Sequence, residues 1–252
     1  MKAPAFAPAL AAEWLKLRST RGPWIILAAA QLIVAGGVSG LVVSDSRKLG
    51  QADVQTQAVA HVGLVSALTL VFGILAVAGE YRHKTVTDTY LSAPRRGVPV
   101  AAKLCVYSLV GAGTGIVAGA VALAAVAIWW PAKGYSFHFG SGGVWTTLLG
   151  GVVADTLFAA IGVGLGALIP NLPGAIAVAF GWMAIVEGIV GQLIGSSAAR
   201  WLPFTAGRAV ALAVGAGSKD LLPRWGGGAL LAGYAAVFAA VAVATTLKRD
   251  VT

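Results

Sequence analysis

Six apolar runs, each near the roughly 20 residues that a helix needs to cross a bilayer, leave this chain few folds to choose from. They lie at Trp24 to Val43, Ala58 to Ala78, Leu104 to Trp130, Val144 to Ile169, Ala175 to Gly195 and Gly227 to Leu247. Hydrocarbon offers no partner to a bare N–H or C=O, so a run buried in it must satisfy its own backbone by coiling into a helix. The expected fold class is therefore all-α, a polytopic membrane protein in which residues 1–252 form one transmembrane domain of six helices. The third run is long enough to tilt or to pass the headgroups. Composition agrees, with 58% hydrophobic and 11% charged residues against roughly 25% charged in an average soluble domain.

The formal charge of +9 has two readings, nucleic acid or anionic lipid. No basic patch is interleaved with exposed aromatics on a polar scaffold, so no nucleic-acid partner is expected and the lipid bilayer is. Lys2, Lys16, Arg18 and Arg21 precede the first run, Arg82, Lys84, Arg95, Arg96 and Lys103 follow the second, and Lys248 and Arg249 close the chain. These are eleven of the eighteen basic residues, and the positive-inside rule places them on the cytosolic face. Both termini then share that face. Four of the other seven basic residues, Arg200, Arg208, Lys219 and Arg224, fall between the fifth and sixth runs, where the rule is locally weaker. Residues 1–23 carry Pro4 and Pro8 and run straight into Glu13 and Lys16, which reads as a cytosolic tail rather than a cleaved signal. Cys105, the single cysteine, reads as a small apolar filler.

Between the second and third runs, residues 79–103 read GEYRHKTVTDTYLSAPRRGVPVAAK, a charged island rich in helix punctuation. Thr85 with Asp88 three residues on makes a capping-box-like start, Pro94 stops the helix, and Pro99 suits the first turn of the next. A separately capped helix of about two turns is expected from Thr85 to Ser92. A plain connecting loop has no need of that stiffness, whereas a loop that transmits a push from a soluble partner does.

Upstream, LAAEWLKLRSTR from Leu10 to Arg21 sets Leu10, Trp14 and Leu17 on one stripe and leaves Glu13 and Lys16 off it. That pattern fits a helix lying in the headgroup plane, and equally an ordinary basic flank. Downstream, residues 196–226 hold Trp201, Pro203, Phe204 and Arg208 in an amphipathic, Gly-bounded piece too short to span. It reads as an external re-entrant segment, either a lid over an exit path or a cap that packs on the bundle. The final residues, 248–252, form a second short cytosolic tail.

Asp155 in the fourth run and Glu187 in the fifth are the two carboxylates placed inside hydrocarbon, where each has a functional and a structural reading. Glycines recur at four-residue spacing within runs, at Gly36 and Gly40, Gly111, Gly115 and Gly119, Gly162 and Gly166, and Gly191 and Gly195. Small residues at that spacing let backbones approach, within the chain or across a dimer.

Catalytic patterns are sparse. The histidines His61, His83 and His138 are scattered, so no zinc-protease pair forms on one helical face, and no metal site is expected. Gly37-Val38-Ser39-Gly40 matches the GxSG pattern of rhomboid-type serine proteases, but in the first run and with only His61 as a nearby base. No GxxxxGK[ST] phosphate loop is present and no loop is long enough for a nucleotide-binding domain, so ATP energy would have to come from another polypeptide.

EWLKLRSTRGPW, the island GEYRHKTVTDTYLSAPRRGVPVAAK, WLPFTAGRAVAL and the terminal LKRDVT together resemble the membrane subunit of an ABC-2 type transporter, of the small bacterial six-span exporter kind. The resemblance runs in order over nearly the whole chain. It implies a permease subunit in the bacterial cytoplasmic membrane with no catalytic site or cofactor of its own, pairing as a homodimer or with a second permease. A separate ATP-binding-cassette ATPase subunit would hold ATP and Mg. Carried over, Glu80 and Arg82 root a coupling helix whose contacts are Thr85, Asp88, Thr89, Leu91, Pro94 and Arg95. Glu13, Trp14, Lys16, Leu17 and Arg18 belong to an interfacial helix, and Trp201, Pro203, Phe204 and Arg208 to an external gate. The connection between the fourth and fifth runs is only Pro170 to Gly174, so a second coupling element is minimal. Two alternatives stand beside this: an intramembrane enzyme built on Ser39 or on Asp155 and Glu187, and a membrane scaffold that moves nothing.

Overall fold

The structure is a computed structural model of the chain and describes residues 6–91, 97–140, 142–211 and 221–248. Among the described residues there is no strand. Helix α1 (Phe6–Ser19) meets α2 (Arg21–Ser44) at Thr20, whose extended backbone makes the elbow. Next come α3 (Ala52–Ala60) and α4 (Ser66–Arg82), joined through a tighter turn of helix at His61–Val65 into one rod. The short α5 (Val86–Leu91) follows, then α6 (Gly97–Ala132) and α7 (Gly142–Leu168). Helix α8 (Leu172–Gly181) passes through a π-helical stretch, Trp182–Val190, into α9 (Gly191–Leu193). Helices α10 (Ser196–Ala199), α11 (Pro203–Ala211) and α12 (Arg224–Lys248) complete the order.

Among the described residues six helices are long and apolar enough to cross a membrane: Arg21–Ser44, Ala52–Arg82, Gly97–Ala132, Gly143–Leu168, Leu172–Leu193 and Arg224–Ala244. The expected number holds and several ends move. The second begins at Ala52 rather than Ala58, because the polar side chains at its start are buried: the Gln55 amide donates to the carbonyls of Leu49 and Ser136. The third begins at Gly97 rather than Leu104, because Lys103 is buried and paired inside the bundle. At the PNLPG connection the Asn171 side chain accepts from the Gly174 N–H at 2.8 Å and Pro173 sits in the first turn, which starts α8 abruptly.

Helices α4 and α7 form the centre. Gly73 lies on the Ala159 carbonyl, Gly162 on that of Leu70 and Gly166 on that of Ile74, so an added Cβ at any of the three would meet backbone. Here the small-residue spacing is a close helix crossing. The pair Gly36 and Gly40 faces open space, with no neighbour within 4 Å of an added Cβ. Around this axis the apolar core falls into three clusters. One gathers α2, α3, α6 and the first turns of α7 around Trp130, a second gathers α7, α8, α11 and α12 around Phe158, and a third holds Leu17, Phe72, Tyr107 and Val163 where α1 meets α4 and α6.

Candidate functional site

Four segments converge at the end of the bundle where α1 enters, α4 ends and α6 begins. Helix α4 stops at Arg82, and Lys84 takes a left-handed backbone with φ of +57°, a cap more often given to glycine. The Thr85 N–H then reaches back to the Glu80 carbonyl at 3.0 Å, and the Thr89 N–H donates to the Thr85 carbonyl at 3.2 Å. This reversal folds α5 back against the last turn of α4, so Thr89 returns beside Glu80. The short helix occupies Val86–Leu91, following Thr85 as expected. Ser92, Pro94 and Arg95 lie outside the described residues, as do the side chains of Asp88 and Leu91.

The side chains that meet there form one ionic network. Lys103 Nζ on α6 donates to Glu13 Oε2 of α1 at 2.8 Å and to Glu80 Oε1 of α4 at 2.6 Å. Lys16 Nζ donates to Glu13 Oε1 at 2.9 Å, to Glu80 Oε1 at 2.6 Å and to the Thr89 hydroxyl of α5 at 3.1 Å. The Thr89 hydroxyl in turn lies 3.3 Å from Glu80 Oε1. Glu13 is 2% exposed and Lys103 3%, so three of the four helices meet through charges that water barely reaches. Two carboxylates and two ammoniums balance, which is the condition under which buried charge is tolerable. Burial lowers the Lys16 pKa, but its hydrogen bonds to Glu80 and Glu13 and their negative charges outweigh that and leave it above the ordinary value.

The network revises the reading of α1. On the expected stripe Trp14 would face the apolar side and Glu13 the solvent, whereas Glu13 and Leu17 are buried and Trp14 is exposed. The reason is Lys103: a cation presented by α6 makes the Glu13 face the inward one. Arg18 and Arg82 are exposed and take no part in the network. Lys103 is the residue whose role the sequence left open, since it read there only as a topology charge at the mouth of a span. An open groove of about 540 Å³ runs alongside, with Lys16, Glu80 and Thr85 at its polar end and Phe72, Leu75 and Tyr107 at its apolar end.

Asp155 and Glu187 take no part in this junction and hold different partners. Asp155, fully buried on α7, accepts from the Ser66 hydroxyl of α4 at 2.7 Å, and its second oxygen has no partner among the described residues. Glu187, in the π-helical stretch, accepts the Phe204 N–H at 2.8 Å, the Thr205 N–H at 2.7 Å, the Thr205 hydroxyl at 3.0 Å and the Trp182 indole at 3.2 Å. It therefore caps the N-terminus of α11, where the unpaired amides and the helix dipole favour an anion. Of the four residues the sequence reading assigned to a gate, Phe204 stacks on Phe158 at 4.8 Å, Pro203 begins α11, and Trp201 and Arg208 are exposed.

Ser39 donates to the Ala35 carbonyl of its own helix and accepts the Trp129 indole at 2.9 Å. His61 Nδ1 lies 3.0 Å from the carbonyls of Gln57 and Ala58, while its ring packs on Gly37. Among the described residues no hydrogen bond joins Ser39 to His61. No model of a known protein family matches the chain, and no curated protein matches it in sequence.

Proposed function

We propose that this chain is the membrane-spanning permease subunit of an ATP-driven exporter, with α5 as the helix that receives force from a separate ATP-binding-cassette subunit. One observation carries the reading: Thr89 of α5 is hydrogen-bonded into the network that joins α1, α4 and α6. A segment that only connects two spans has no need to be fastened to three other helices. A segment that must move spans as a unit does, because a loose attachment would absorb the displacement.

In this reading the junction faces the cytosol, both termini lie there, and the protein sits in the bacterial cytoplasmic membrane. Helix α1 lies at the interface, and a push on α5 passes through Glu80 and Lys103 to α4 and α6 together. Helix α11 serves as the external re-entrant element, braced on the centre of the bundle through Glu187 and Phe158. ATP and Mg belong to the partner, and the permease pairs with itself or with a sister subunit. The resemblance of the island and of WLPFTAGRAVAL to ABC-2 exporters supports the same assignment.

Co-expression with an ATP-binding-cassette ATPase of the same genome tests the reading. The tagged chain is expected to co-purify with that ATPase, and Leu91→Asp on α5 is expected to release it without loss of the folded permease. Failure of the wild-type chain to capture the ATPase, or retention by the variant, would overturn the proposal.

A further inference from the structure

Two cavities meet beside the midpoint of α7. The first, of about 370 Å³, is bounded by α4, the π-helical stretch and α11, and contains Leu64, Ala67, Met183, Thr205 and Arg208 in its lining. The second, of about 170 Å³, is wholly apolar, with Leu70, Ile161, Trp182 and Phe238 among its walls. Phe158 and Phe204 line both, so the stacked pair is the partition between them.

The charged groups in the wall of the larger cavity are Glu187 and Arg208. Glu187 is in its wall, but the carboxylate accepts four hydrogen bonds and serves the α11 amides. Arg208 is also in the wall, and among the described residues no carboxylate lies within 4.0 Å of it. Arg208 is exposed and its neighbour Gly207 packs on the Phe158 ring, so the cation stands at the rim of the apolar cavity. A guanidinium at the rim of an apolar cavity suits an acid group that carries a hydrocarbon tail. The remaining lining is almost entirely aliphatic, aromatic or glycine.

We infer that this pair of cavities binds an anionic single-chain amphiphile, its acid group on Arg208 and its hydrocarbon chain along Leu64, Ala67 and Met183 toward the Phe158–Phe204 partition. A planar guanidinium pairs a carboxylate or phosphate in bidentate fashion, and the apolar walls suit a chain rather than a sugar or peptide. Displacement of Phe204 would join the two volumes and admit a longer chain. The inference concerns what the chain binds and stands whether or not it transports that ligand.

The test uses the full chain alone in phosphatidylcholine nanodiscs, with a photoreactive long-chain fatty acid as probe and mapping of the labelled peptides. Saturable labelling is expected on the Leu64–Ala67 and Phe204–Arg208 segments. Unlabelled fatty acid should compete, whereas the alcohol of equal chain length should compete at least about tenfold more weakly, as expected when a charge-assisted pair is lost. Arg208→Gln should lower labelling to a similar degree, Arg208→Lys should restore part of it, and Ala67→Phe should block it by filling the larger cavity. Equal competition by the alcohol, or labelling elsewhere on the protein, would overturn the inference. The wild-type competition decides the matter even where a variant fails to fold.

Discussion

Lys103 is the residue on which the junction turns. It holds Glu13 and Glu80 at once, both of them from elements distant in sequence, and it is itself 3% exposed. Removing one member of a buried ion network strands its partners, so Lys103→Met is expected to destabilise the protein by about 3–5 kcal/mol. The double variant Lys103→Met with Glu13→Gln should recover part of that loss, as read from thermal unfolding in detergent. Lys16 gives a pH signature. Its pKa is raised above the ordinary 10.5, so its contribution is complete below that value and fades as pH climbs through the higher folded-state value. The difference in melting temperature between wild type and Lys16→Met should therefore be flat from about pH 6 to about pH 9 and shrink only in strong alkali. At Asp155, Ser66→Ala leaves a buried oxygen without its donor and should cost about 1–3 kcal/mol, whereas Asp155→Asn keeps an acceptor for Ser66 and should be the milder change. Glu80 and Thr89 were assigned from the sequence to the coupling loop and Lys16 to a separate interfacial helix, and the structure brings the three together. Glu13 was assigned to the wrong face and Lys103 left without a role, because the two meet 90 residues apart and no local periodicity registers that pairing.

Individual helices were legible to different degrees for physical reasons. Long apolar runs announce themselves, and the short α5 was marked by the threonine before it. The ends were harder, since a charge such as Lys103 looks like a span boundary until its buried partners are known. The π-helical stretch Trp182–Val190 has no sequence mark at all; it accompanies the seating of Glu187 on the first amides of α11. Glu187→Gln removes the charge from that cap and should loosen α11 by roughly 1–2 kcal/mol, seen as faster amide exchange in α11 with little change in α6. The glycines divide by what they touch. Gly162→Leu would drive a side chain into the Leu70 carbonyl at the α4–α7 crossing, and a loss of about 1–3 kcal/mol or more is expected in thermal unfolding, whereas Gly36→Leu, in open space, should be near neutral.

Across the whole molecule, the fold joins a polar junction at one end of the bundle to a helix α11 braced by Glu187 and Phe158. All-α class and six apolar helices followed from the need to satisfy backbone polar groups in hydrocarbon. What the sequence could not supply was which helix is central, because α4 and α7 differ from the rest by how much of each is buried in the bundle rather than by hydropathy. In the proposed function α5 is a cytosolic lever covered by an ATPase. Thr87 is an exposed position on α5, and Thr87→Cys in a Cys105→Ala background gives it a unique thiol. Labelling with a membrane-impermeant maleimide is predicted in inside-out vesicles, to be absent in right-side-out vesicles, and to be blocked when the co-expressed ATPase is bound. Labelling from the outside, or undiminished labelling in the presence of the ATPase, would contradict it.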